Sequence, residues 1–291
     1  MEETLGWIGV GSMGHRMSRH LVAAGHSLVV ADAVSTERAP PQARVAKSNA
    51  EVAALADTII LSLPDGSVSE AVSREIAAAA SRRVKTVIDT STIGIGAAET
   101  VARLLQSADL AFIDAPVSGG TAGADKATLA IMMACPPSLY ERFKPLMNLM
   151  GKPFYVGPKP GQGQAVKLLN NYLSATALAA SSEAIAFGVQ QGIDMKTILE
   201  IVNASTGRNT ATEDKFPRRI INEKYDAGFT AKLQLKDIKL YLENARAAGI
   251  SNEIASTVVN VWTEMNKALP GADITLMYPY TRDGRRKPGK T

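Results

Sequence analysis

From Gly161 to Gly192 the chain reads GQGQAVKLLNNYLSATALAASSEAIAFGVQQG, with no proline and, past its Gly-Gln-Gly entry, no glycine until Gly188. A segment that can stop only at a glycine able to adopt positive φ continues as one helix, predicted over 164–191. At 1.5 Å per residue it is about 40 Å long, enough to cross one domain and enter the next. Apolar residues fall on nearly every side, as in a helix buried between layers. A membrane span is the competing reading. Lys167, Asn170, Asn171 and Glu183 would place several polar groups at bilayer depth, so no membrane association is expected.

Lys167 and Asn171 lie four positions apart and stack on one face of the first turns, with Ser174 continuing the stripe. On a solvated end turn the lysine would only snorkel and the amide would bind a loop. Desolvated, a lysine loses some of its preference for the charged form and can exchange a proton near neutral pH. The helix alone does not choose between these readings.

The 291 residues, 46% hydrophobic and 21% charged, can bury a large core and suit two domains better than one. A single cysteine, Cys135, excludes an internal disulfide and a multi-cysteine metal site, and fits a reducing, cytoplasmic setting. His15, His20 and His26 have no metal-ligand partners near them in sequence, so no metal is expected. MEETLGW runs straight into an apolar strand without the basic start and apolar core of a signal peptide. The net charge of +4 gathers partly in the terminal RDGRRKPGKT, which reads as a solubilising tail.

Strand, glycine turn and helix follow one another at Leu5 to Ala24, around Gly9-Val-Gly11-Ser12-Met13-Gly14. That order suits a dinucleotide site. Gly9 permits a tight turn, Gly11 lets a pyrophosphate approach backbone N–H groups at the helix start, and Gly14 lets helix and strand pack closely. The next strand, Ser27 to Asp32, ends in an acid at the spacing where a carboxylate meets the adenosine ribose hydroxyls. A carboxylate there repels a 2′-phosphate, so NAD is expected over NADP.

The alternation continues. Ser48 with Glu51 reads as a capping box before a helix to Leu55, and Ser67 with Glu70 opens another helix through Ala80. Strands are expected at Thr58 to Leu63, Thr86 to Asp89, Ala111 to Asp114 and Leu129 to Met133, with helices over Gly94 to Ser107 and Pro137 to Met150. Short continuous apolar strands between helices indicate a parallel sheet covered on both faces, with ligands at the carboxyl ends of the strands. Those ends carry Leu63-Pro64-Asp65, Asp89-Thr90-Ser91-Thr92 and Asp114-Ala-Pro-Val-Ser118-Gly119-Gly120. After Val156 only helical patterns appear: the long helix, Lys196 to Asn203, a stretch around Phe216 to Ile221, Leu233 to Ala248 and Ile254 to Ala268. Gly157-Pro-Lys-Pro160 marks the boundary between a dinucleotide-binding domain over 1–160 and an all-helical domain over 161–291.

Four motifs in order, GVGSMG at 9–14, DAPVSGG at 114–120, GQGQAVKLLNN at 161–171 and KDIKL at 236–240, resemble the β-hydroxyacid dehydrogenase family over nearly the whole length. The resemblance implies an α/β Rossmann-type domain with a parallel-rich sheet, joined through the long helix to an all-α C-terminal domain for substrate binding and oligomerisation. It implies Lys167 as catalytic acid/base, with Asn171 orienting the substrate or the lysine. Ser118, Gly119 and Gly120 would hold the substrate carboxylate, and Thr92 would lie near nicotinamide and substrate. Gly9, Gly11, Ser12, Met13, Gly14, Asp32, Leu63 and Pro64 would bind cofactor. Phe229, Lys236 and Asp237 match a segment that closes on the cofactor in such enzymes.

Two departures stand out. His20 replaces a usual asparagine, a matter of packing, and ADITLMYPYTRDGRRKPGKT replaces the family's usual ending, where Tyr278 and Tyr280 could wall the substrate pocket. The expected activity is hydride transfer between NAD(H) and a small β-hydroxy acid or its semialdehyde, similar to 3-hydroxyisobutyrate, by a homodimer or homotetramer. The alternatives are an imine reductase on the same fold, whose members generally lack the lysine, and a non-catalytic cofactor-binding scaffold with a nucleic-acid-binding tail. Lys167 counts against both, and nucleic acid is not expected as a partner.

Overall fold

The structure, a computed structural model, describes residues 3–284. The basic tail from Arg285 onward lies outside the described residues. The chain divides into two compact units, Met1–Lys167 and Leu168–Thr291.

The first unit alternates strands and helices. Its elements are β1 Leu5–Ile8, α1 Gly14–Ala23, β2 Leu28–Ala31, β3 Arg44–Val45, α2 Asn49–Leu55, β4 Thr58–Leu61, α3 Gly66–Ala78 and β5 Thr86–Asp89. They continue with α4 Ile95–Gln106, β6 Ala111–Asp114, β7 Val117–Ser118, α5 Gly120–Asp125, β8 Leu129–Ala134, α6 Pro137–Met147 and β9 Gly151–Gly157. The nine strands form one sheet in the order β3-β2-β1-β4-β5-β6-β8-β7, with β9 paired to β8. The side chains of β1, β2, β4 and β5 are buried throughout, because both faces are covered. Successive residues turn to opposite faces: Ile60 joins Trp7 and Met17 in one core, while Ile59 and Leu61 join Val52 and Ile76 in the other.

The expected parallel sheet holds from β3 to β6 and then changes. β8 runs antiparallel to β6 and β7, and β9 returns parallel to β8. The short β3 and β7 carry no continuous apolar run, and in β9 exposed and buried positions mix around Pro153. Helix α6 ends at Met147, three residues short of its expected end. Ser48 caps α2 by accepting the Glu51 N–H at 3.2 Å, but the Glu51 carboxylate takes the Lys47 N–H in place of the reciprocal bond. Asp65, not Ser67, caps α3: it accepts the Val68 N–H at 3.1 Å, and the Ser67 hydroxyl donates to the Asp65 carboxylate at 2.6 Å.

Helix α7, Gln162–Gln190, carries the division between the units inside it. The second unit continues with α8 Met195–Asn203, a π-helical stretch Ala211–Ile220, α9 Ala231–Ala247, α10 Glu253–Ala268, a 3₁₀ turn Ile274–Leu276 and α11 Met277–Arg282. Pro217 sits inside the π-helical stretch and has no N–H for an α-helical bond, so the wide turn replaces the regular helix expected there. Phe216, Ile238, Trp262, Met265 and Met277 are completely buried in this unit's core, and the Trp262 indole N–H donates to the Ala175 carbonyl at 3.3 Å.

Two expectations fail here. Helix α7 is not buried on all sides: Ala175, Leu178 and Ile185 face the helical core, but Leu169, Leu173 and Phe187 stand 42%, 59% and 68% exposed. Tyr278 and Tyr280 are each 3% exposed in the helical core, and Tyr278 meets the Phe216 ring edge-on with centroids 5.4 Å apart. The replaced chain ending supplies packing there.

Candidate active site

The glycine turn between β1 and α1 has the shape its spacing suggests. Gly9 has φ of +96°, and a Cβ there would stand 2.2 Å from the Ser62 carbonyl oxygen. At Gly14 a Cβ would fall 1.9 Å from the Gly9 carbonyl oxygen, which also accepts the Trp7 indole N–H at 2.9 Å. At Gly11 a Cβ would meet nothing within 4 Å. Gly9 and Gly14 are thus glycine because the chain folds tightly on itself, whereas Gly11 faces open space. No side chain caps α1, with Met13 at its N-cap; the His15 and Arg16 N–H groups donate to the Gly11 and Met13 carbonyls at 3.3 and 3.1 Å, and the positive end of the helix lies beside Ser12.

The loop is tied to the next strand through Asp32. One carboxylate oxygen accepts the Val10 N–H at 2.8 Å, and the other accepts the N–H groups of Val34 and Ser35 at 2.8 and 3.1 Å. A partly exposed carboxylate is thereby held at the end of β2, beside the turn. A glycine with free space, an uncapped helix start and a fixed acid together suit a dinucleotide. On the outer face of α1, His20 Nε2 lies 2.8 Å from the Ala124 carbonyl, and Arg16 and Arg19 both pair with Asp125, which docks α1 on α5.

The neighbouring strand ends are joined as well. The Leu63 N–H donates to the Ser91 hydroxyl at 2.7 Å, linking the loop that holds Leu63 and Pro64 to the one that holds Thr92. Ser118 ends the short β7, followed by Gly119 at φ +136° and Gly120 at φ +62°. A Cβ at Gly119 would crowd Leu129 Cδ2 at 3.0 Å, while Gly120 has nothing within 4 Å. The Gly120 backbone can therefore be approached closely.

Lys167 closes the first unit on α7 and is only 8% exposed. Asn171, one turn further on, is 7% exposed and belongs to the second unit. Its side-chain amide donates to Asp237 at 2.6 Å, and its backbone carbonyl accepts the Gln234 side-chain N–H at 3.1 Å. Asp237 is 3% exposed, with the Lys236 ammonium 3.2 Å from its other oxygen. Two residues expected on a cofactor-closing segment thus gather around Asn171. Phe229 packs on the helical core, and its carbonyl accepts the Ile274 N–H at 2.9 Å.

Within the first unit, three further polar residues to which the motifs assign no role lie at the strand ends and the start of α7: Asp89, Asp114 and Gln164, each completely buried. Asp89 and Asp114 are register partners at the ends of β5 and β6. Burial pushes the Asp89 carboxyl above its usual range against the opposing bonds from Ser91 and Ser69. Burial also raises Asp114, to about 6, with Gln164 and Gly161 opposing and the Asp89 charge reinforcing. Their positions at strand ends were the available signal; their partners come from distant segments.

Comparison with known proteins matches this arrangement. The model described as the NAD binding domain of 6-phosphogluconate dehydrogenase covers residues 4–157, and that described as NAD-binding of NADP-dependent 3-hydroxyisobutyrate dehydrogenase covers 161–281. The chain is 31% identical to 2-(hydroxymethyl)glutarate dehydrogenase of Eubacterium barkeri, over 90% of this chain and 95% of that protein. It is 33% identical to the NAD-dependent L-serine dehydrogenase of Pseudomonas aeruginosa, over 89% of this chain and 90% of that one. The structure of Mycobacterium tuberculosis 3-hydroxyisobutyrate dehydrogenase with L-serine superposes with a TM-score of 0.89 at 29% identity, covering 97% of this chain and all of that one. With its glycine turn, its Rossmann-like sheet and its helical second unit, the chain belongs to the β-hydroxyacid dehydrogenase family.

Proposed function

We propose that the protein catalyses reversible hydride transfer between NAD and the carbinol carbon of a small β-hydroxy acid, with Lys167 as general acid/base. The observation that carries this reading is the burial of Lys167: a lysine only 8% exposed, on a helix that begins in the unit bearing the glycine turn. Bound nicotinamide supplies the hydride acceptor. Lys167 takes the hydroxyl proton during oxidation and returns it during reduction. Asn171, steadied by Asp237, orients the substrate or the lysine. Ser118, Gly119 and Gly120 hold the carboxylate, which fixes the face that the alcohol carbon presents, and Thr92 lies beside the reacting groups.

The substrates named by the similar proteins, 3-hydroxyisobutyrate, 2-(hydroxymethyl)glutarate and L-serine, share a hydroxymethyl group on the carbon that bears the carboxylate. That pattern is the class we assign. Asp32 supports NAD over NADP, because a 2′-phosphate at its carboxylate would meet like charge. The test is a panel of three- and four-carbon hydroxy acids and semialdehydes with both nicotinamides. Turnover of 2-substituted 3-hydroxypropionates with NAD is expected. Turnover confined to imines, or to acids with the hydroxyl on the α-carbon, refutes the assignment.

A second copy of the chain is the partner that fits the outer side of α7, where Leu169, Leu173 and Phe187 are exposed on one helix. Large apolar groups in such a row favour a homo-oligomer.

A further inference from the structure

Gln164 is completely buried, and both polar atoms of its side chain are used. Its oxygen accepts the N–H groups of Ile93 and Gly94 at 2.9 and 3.1 Å, and its nitrogen donates to the Ser91 carbonyl at 3.1 Å and to Asp114 at 2.7 Å. These contacts bracket Thr92. The other oxygen of Asp114 accepts the N–H groups of Gly161 and Gln164 at 2.9 and 3.2 Å, so a carboxylate from β6 caps the start of α7. A Cβ at Gly163 would stand 2.5 Å from the Met132 carbonyl and 2.9 Å from Asp114, so the first turn sits tightly against the sheet. One amide therefore joins the loop of Thr92, the strand that leads to Ser118 and the helix of Lys167.

We propose that Asp114 and Gln164 are positioning residues for the reaction: they fix the first turn of α7, and with it the amine of Lys167 three residues further on, against the Thr92 loop. This rests on the acid/base reading of Lys167. The capping carboxylate is the charged member of the device. Facing it are Asp89 from β5, itself held by the Ser69 hydroxyl and the Ser91 N–H, and the Cys135 thiol after β8, which burial and the Asp114 charge push up to about 11. On α7 it faces Gln164, with Lys167 one turn beyond. With its carboxyl at about 6, Asp114 gains a proton in mildly acidic solution: the neutral form is the one burial favours, so the fold keeps its stability, but charge-assisted acceptance of three N–H groups is lost and the first turn of α7 is held less closely.

The test measures kcat for semialdehyde reduction, in which Lys167 acts as the acid and sets no acid limb of its own, against pH for the full-length enzyme and for Asp114→Asn, Gln164→Met, Gln164→Glu and Lys167→Ala, each normalised to sites that bind NADH. The wild type should lose kcat below about pH 6. Asp114→Asn should lower kcat at pH 8 roughly tenfold or more, leave KM for NADH within about twofold, and abolish the acid limb. Gln164→Met should lower kcat similarly. Gln164→Glu, which sets a further carboxyl against Asp114, should move the limb to higher pH. A wild-type kcat flat from pH 5 to 7 overturns the proposal, and that arm needs no variant to fold. Variants that only lower Tm, with kcat per site and limb unmoved, overturn it too. An inactive Lys167→Ala beside a fully active Gln164→Met refutes positioning alone; an active Lys167→Ala refutes the acid/base reading beneath it.

Discussion

Replacing Gly11 and Gly14 separately by alanine should divide the two functions of the glycine turn. At Gly14 the added methyl would lie 1.9 Å from the Gly9 carbonyl oxygen and 2.9 Å from Trp7 Nε1. Neither atom can easily withdraw, since the two are hydrogen-bonded to each other and Trp7 is wholly buried. Overpacking of this kind costs about 2 kcal/mol, which for a unit of this size lowers Tm on the order of 5 °C. At Gly11 the methyl meets nothing within 4 Å, and the residue is not among those with positive φ. The unliganded Gly11→Ala protein should therefore melt within about 1 °C of the wild type, because no contact is strained and the unfolded chain loses a little freedom. Its methyl occupies the open side where a pyrophosphate approaches the helix start, so NAD should bind about tenfold or more weakly, a loss of about 1.4 kcal/mol. Thermal denaturation without ligand and NAD titration by fluorescence read both quantities. Equal destabilisation by the two substitutions, or an unchanged NAD affinity in Gly11→Ala, would refute the assignment of the open face.

Asp32→Ser should raise NADP efficiency relative to NAD, read as the ratio of kcat/KM values; an unchanged ratio removes the discriminating role from this carboxylate. Asp114 should leave a signature in stability. Its folded pKa of about 6 lies above the ordinary 3.8, so the folded chain binds the extra proton and stability falls as pH rises from about 4 to 6, by about 3 kcal/mol for an isolated group. Urea denaturation of wild type and Asp114→Asn over that window measures it, and a difference between the two that does not vary with pH contradicts it. Leu173→Glu puts a charge on the exposed side of α7 and should dissociate the oligomer without unfolding the chain; sedimentation showing the wild type to be a monomer would dispose of that partner.

Much of this molecule could be read from spacing. β1, the glycine turn and α1 are local in sequence, and so are the apolar runs of β2, β4, β5 and β6, because strands buried on both faces need nothing but apolar residues. The long helix was legible because its run holds no proline and no glycine between Gly163 and Gly188, although its burial on one side only was not. What escaped depends on partners far along the chain. Asp65 displaced Ser67 as a cap because its side chain reaches the Val68 N–H, a choice between neighbours that composition does not rank. The antiparallel pairing of β8 with β7 is not written in either strand, since the register joins Val117 to Ile131. Gln164 looked like one more polar residue in a glycine-rich entry, yet its four hydrogen bonds reach Ser91, Ile93, Gly94 and Asp114. Tyr278 suggested a pocket wall by residue type alone, and the helical core claimed it.

The most direct measurement is single-turnover oxidation of a 2-substituted 3-hydroxypropionate by Lys167→Ala, with NAD affinity determined on the same preparation. If a buried amine carries the proton, turnover falls at least about a hundredfold while NAD binds as in the wild type. Near-normal turnover with NAD bound would mean that the proton leaves by another group.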